Sequence, residues 1–122
     1  MQGKENPIKS KSYIFSIKIV ELYRDLVKEH KDYVLSKQIL KSGTSIGANV
    51  HEAIGGQSKP DFISKMQIAY KEALETEYWL NLLKDTGFIN EELYNDLINH
   101  CEEIVKILTS ILNTSKKAYS KR

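Results

Sequence analysis

His100, Cys101 and Glu103 are where chemistry would first be sought in this chain. Cys101 is the only cysteine, and a histidine beside it suggests a nucleophile with its base. On a helix, however, neighbouring residues point about 100° apart, so the imidazole is not presented to the thiol. Cys101 also falls on an apolar stripe, which reads as a core position. A carboxylate-bridged metal site in a helical bundle needs Glu-x-x-His on two facing helices. The chain offers Glu72-x-x-Glu75 and the reversed His100-x-x-Glu103, but no Glu-x-x-His. A metal held by Glu52, Glu72, Glu75 and His100 is the remote alternative, since charges flanking a stripe are usually solvated or ion-paired. There is neither a G-x-x-x-x-G-K-[ST] phosphate loop nor a G-x-S-x-G elbow. The sequence therefore predicts no enzyme, no metal and no cofactor.

Residues that could bind rather than react are better organised. Lys37, Lys41, Thr44, Ala48 and His51 recur at 4-3-4-3 spacing and fall in one helical row. Two lysines and a histidine in a row could track phosphates. The net charge is +2, but its distribution is uneven: residues 1–31 hold seven Lys/Arg against four acids, and residues 90–103 hold five acids and no Lys or Arg. The tail, residues 116–122, carries Lys116, Lys117, Lys121 and Arg122. The candidate nucleic-acid contacts are thus Lys37, Lys41, His51 and these four tail residues. A second row, Gln38, Ser42, Ser45, Asn49 and Glu52, repeats the same spacing one residue on. Small polar residues at coiled-coil spacing suggest a packed polar seam. There, Ser42, Ser45, Asn49 and Glu52 would fix register against a neighbouring helix or subunit.

Four helices would position these rows. The first is expected over about 10–30, where Phe15, Ile19, Leu22 and Leu26 keep 4-3-4 spacing. The second, about 33–54, carries Ile39, Gly43, Ile46, Val50 and Ala53. Two glycines inside it, Gly43 and Gly47, each cost about 1 kcal/mol against alanine, which close approach of another backbone would offset. Gly55-Gly56 should end it through the left-handed conformation. The third, about 59–86, opens on Ser58-x-x-Asp61 with Pro60 in its first turn and stops at Gly87. The fourth, about 90–115, opens on Asn90 with Glu91 and Glu92 in its first turn, and the basic tail follows. Short connections between long helices force antiparallel neighbours, so the fold class is all-α: an up-down-up-down four-helix bundle, one domain over residues 1–122.

Composition agrees. Six Gly and two Pro in 122 residues are too few for a sandwich of strands and turns. One cysteine leaves no intrachain disulfide, and no apolar run suggests a signal peptide or a membrane span, so the cytoplasm is the expected compartment. The apolar content exceeds one seam. Ile68, Tyr70, Leu74, Tyr78, Trp79 and Leu82 on the third helix, and Ile98, Val105, Ile107 and Leu112 on the fourth, suggest surfaces for identical copies.

Residues 42–53, SGTSIGANVHEA, contain S-I-x-A-N-x-x-E. This resembles the signature of the bacterial four-helix-bundle family encoded within intervening sequences of 23S ribosomal RNA genes. The stretch from Phe62 to Leu83, with Lys65-Met66, Ile68-Ala69, Glu72-Ala73, Glu75 and Trp79-Leu80, resembles that family's third helix. More remotely, the chain is similar to the accessory variability determinant of diversity-generating retroelements. The resemblance implies a small cytoplasmic homo-oligomer, a pentamer, with no established catalytic activity. It settles no biochemical function; RNA or DNA, or a protein partner, are the expected associations of the surfaces described above, and no membrane is expected.

Overall fold

The structure, a computed structural model, describes residues 6–120 and consists of four α-helices in chain order. They are α1 (Pro7–His30), α2 (Leu35–Ile54), α3 (Lys59–Asp85) and α4 (Glu91–Ser120). α2 packs between α1 and α3, and α4 between α3 and α1, while the diagonal pairs do not approach one another. This is the expected all-α four-helix bundle. A single apolar core, with Phe15, Ile19, Ile39, Ile46, Leu80 and Leu108 fully buried, runs through all four helices.

Local chemistry sets most of the ends. Asn6 accepts the Lys9 N–H, and Pro7 occupies the first helical position, so α1 begins three residues before the expected 10. Ser58 Oγ accepts the Asp61 N–H at 3.1 Å, and Asn90 Oδ1 accepts the Leu93 N–H at 2.8 Å. α4 departs most from expectation. It continues to Ser120, so Lys116 and Lys117 are helical and not part of a free tail. Nothing between 113 and 120 breaks a helix, Ser115 extends the buried stripe, and Lys117 complements the C-terminal end of the macrodipole.

The glycines divide into two groups. Gly55 ends α2 with φ −85°, so the left-handed stop expected there is absent; the left-handed glycine among the described residues is Gly87, at φ +85°. Gly43 and Gly47 serve close packing, as their cost predicted. A Cβ on Gly43 would lie 2.7 Å from Ile19 Cγ1, and one on Gly47 would lie 3.2 Å from the Ser12 carbonyl oxygen. α1 contributes small residues at the same place, Ser12 and Ser16, whose hydroxyls bond back to the Lys9 and Ser12 carbonyls. At Gly47 backbone meets backbone because neither helix has bulk in between, whereas at Gly43 the space is taken by the Ile19 side chain and not, as expected, by a backbone.

Candidate nucleic-acid interface and the polar seam of α2

α2 has three working faces. Gly43 and Gly47 face α1. The polar row faces α3, and the lysine row faces solvent. These assignments follow from 100° per residue together with the contacts each row makes.

The polar row is a seam at its buried end. Ser42 is fully buried and hydrogen-bonds Thr76 of α3, hydroxyl to hydroxyl, at 2.9 Å. Thr76, also fully buried, additionally donates to the Glu72 carbonyl at 2.8 Å within its own helix. No buried side-chain nitrogen or oxygen lacks a partner among the described residues. Toward the other end the seam becomes a surface. Glu52 is exposed and pairs with Lys65 of α3 at 3.1 Å, a surface ion pair across the helices. Asn49, half-buried, does not cross: its amide donates to the Ser45 carbonyl at 2.9 Å and lies 3.1 Å from Ser45 Oγ. Two contacts therefore cross from the row to α3, Ser42–Thr76 and Glu52–Lys65, while Ser45 and Asn49 satisfy each other. Thr76, at a core position of α3, is a partner that the spacing of the α2 row alone does not name.

The lysine row points outward. Lys37, Lys41, Ala48 and His51 are exposed and Thr44 is half-buried, its hydroxyl donating to the Leu40 carbonyl. The row is not free of negative charge. Burial raises the Glu72 carboxyl above its ordinary value, Glu75 raises it further, and Lys41 and Lys71 pull it back. Lys41 thus acts on an acid of α3 as well as on solvent. Lys116 and Lys117 lie on the last turns of α4, and Lys116 donates to Gln67 Oε1 of α3 at 2.7 Å. Because α2 and α4 are diagonal, the two lysine groups occupy different sides of the bundle and form no single surface. Lys121 and Arg122 lie outside the described residues.

The residues weighed for catalysis are dispersed. Glu52 is bound to Lys65, Glu75 Oε2 accepts the Trp79 Nε1–H at 3.0 Å, and His100 Nε2 sits 3.6 Å from Asp96 on the side of α4 that meets α1. No group of three or more His, Cys, Asp or Glu is arranged to hold a metal among the described residues. Cys101 is buried and its thiol donates to the Ala73 carbonyl. Burial pushes that thiol far above its ordinary range, and Glu77 and Glu102 add to the push, so it stays protonated. Of the extra apolar residues, Ile98 and Leu112 enter the core, and Val105 and Ile107 pack against it. Ile68, Leu74 and Tyr78 remain exposed on α3, as do Tyr13, Ile14 and Ile17 on α1. No helix among the described residues is long and apolar enough to cross a membrane.

A second helix that packs through glycine on one side and through hydroxyls on the other defines a class of small all-α four-helix bundles. The chain matches the 23S rRNA-intervening sequence protein family over residues 4–110, and it belongs to that family. A similar solved structure is that of a protein of unknown function from the S23 ribosomal protein family of Bacteroides thetaiotaomicron VPI-5482. It is 55% identical, with a TM-score of 0.85 over 86% of this chain and 97% of that one. No curated protein matches the chain.

Proposed function

We propose that the protein is a non-catalytic adaptor of the cytoplasm that associates with copies of itself, as a pentamer, and binds RNA or DNA by charge and shape. The observation that carries the reading is the outer row of α2. Lys37, Lys41 and His51 stand exposed along one helix face, separated only by Thr44 and Ala48, so a phosphate backbone can lie close against it. Family membership supports an RNA context. Self-association is supported by Tyr13, Ile14 and Ile17, which neighbour one another at i, i+1 and i+4 and are 68%, 49% and 45% exposed. Three adjacent large apolar side chains form the kind of patch that partners cover.

Such binding has a fixed salt signature. Each phosphate neutralised releases counterions, so affinity falls linearly on a log–log plot against salt. Titration of the purified chain with RNA across a salt series should show that fall; affinity independent of salt contradicts the reading. Light scattering should return a multiple of 14.0 kDa, and a single-copy mass contradicts self-association.

A second reading, a protein-interaction scaffold without nucleic acid, is favoured by one observation: Glu72 offsets Lys41. Partner capture that survives nuclease, from a protein that fails to bind RNA at low salt, would select it.

A further inference from the structure

An apolar depression lies on the outside of α3 beside the last turns of α4. It is a trough of about 570 Å³. Pro60, Ile63 and Ile68 of α3 and Tyr119 of α4 supply its apolar surface. Lys71 and Lys116 stand on its edge, and no carboxylate lines it. Neither lysine has an ion-pair partner among the described residues, whereas Lys11, Lys18, Lys65 and Lys84 each have one. Glu72, on which Lys71 acts, is turned about 100° around α3, toward α2.

We infer that this trough is a docking groove for an acidic amphipathic helix of a different protein. From Pro60 to Lys71 the groove follows three turns of α3, about 16 Å, which matches a partner helix presenting apolar residues at i, i+3 or i+4, and i+7. Two ammonium groups without an ion pair, that of Lys116 hydrogen-bonded to Gln67, stand beside an aliphatic floor and complement glutamates or aspartates flanking that apolar stripe. The floor favours such a helix over nucleic acid, because an apolar floor gains from burying apolar side chains, which a phosphate backbone does not supply. A second copy of this chain is poorly suited. Its acidic segment is the start of α4, whose Leu97, Ile98 and Cys101 are already buried in its own core. The groove also depends on Lys116 and Tyr119, which lie on the last turns of α4, outside the residues 4–110 that match the family. It gives the adaptor a protein-binding side on α3 and α4, and it does not depend on RNA binding.

The test is fluorescence anisotropy of the full chain with a labelled three-turn helical peptide. It carries leucines at i, i+3 and i+7 and glutamates beside them; a control peptide carries lysines in place of the glutamates. The glutamate peptide should bind saturably and the lysine peptide about tenfold or more weakly. Lys71→Glu/Lys116→Glu should reverse that preference, and Ile68→Asp should weaken the glutamate peptide about tenfold or more. All of these sites are exposed, so the variants should keep the wild-type melting temperature. Absence of saturable binding, or equal binding of both peptides, overturns the inference. So does displacement of the glutamate peptide by single-stranded RNA through the same lysines, or a drop in oligomer mass for Ile68→Asp, which would assign the trough to RNA or to a second copy.

Discussion

The two sides of α1 are held by different physics. Against α2 the contact is dry and backbone-close: Gly43 would clash with Ile19 if it carried even a methyl group, and Gly47 lies over Ser12 and Ser16. Against α4 the contact is the sparsest of the four seams. It is bridged at the surface by Lys11–Glu103 and Lys18–Asp96, both at 3.1 Å, with every side chain substantially solvent-exposed. Close packing without voids is intolerant of added volume, whereas exposed ion pairs contribute little and are screened by salt. The difference teaches that the glycine-rich segment of α2 is read first as packing. Only the outer row of that helix is left to act on something else.

The sharpest way to break this contrast is to put bulk at its tight side. Gly43→Val should destabilise the fold by about 3 kcal/mol through overpacking against buried Ile19, seen as a lower urea midpoint at unchanged slope. A midpoint unchanged by that substitution would mean the α1–α2 seam is not tight. The polar face of α2 comes next. Thr76→Val should cost about 1–3 kcal/mol, because the Ser42 hydroxyl loses its partner in the core. The double change Ser42→Ala/Thr76→Val should recover most of that loss, and failure to recover it would show that the pair is not simply a satisfied hydrogen bond.

Smaller effects sharpen the comparison. Lys31 ends α1 in the left-handed region at φ 53°, where its N–H and that of Asp32 bond the last carbonyls of the helix. Lys31→Gly should therefore stabilise by about 0.5–1 kcal/mol. On the loose side of α1, Lys18→Ala should cost less than about 0.5 kcal/mol, with the cost shrinking as salt is added. A pH series probes the α3–α4 seam. Burial raises the Glu77 carboxyl, and Glu102 raises it further, so the folded state holds that proton more tightly than the unfolded chain does. This contribution to stability falls as pH climbs from the ordinary carboxylate value of 4.5 through the raised one. Glu77→Gln should flatten the fall, and an identical pH profile would remove Glu77 as its source.

What was legible in the sequence was local. Ser58 and Asn90 cap helices where expected, because a side chain three residues from an N–H can reach it unaided, whereas the Asn6 cap sets α1 ahead of the expected start. The glycine cost at Gly43 and Gly47 announced close packing, though not that Ile19 and Ser12 would be the neighbours. What stayed hidden depends on partners far along the chain. Ser42 meets Thr76, Lys41 feels Glu72, and Lys116 reaches Gln67 only because α3 lies between α2 and α4. The same topology separates Lys37 and Lys41 from Lys116 and Lys117, which charge counting alone had grouped together. The end of α4 was misplaced because residues 113–120 hold mostly polar side chains, whose helicity depends on docking against α3.

The central claim, that α2 holds the fold with two faces and contacts nucleic acid with the third, meets its most direct test in a Lys37→Glu/Lys41→Glu variant titrated with RNA across salt. Both side chains are exposed, so the melting temperature should match wild type while affinity drops about tenfold or more and the log–log salt slope becomes shallower by roughly 1.5. RNA affinity and slope equal to wild type would place the contact elsewhere and contradict the account.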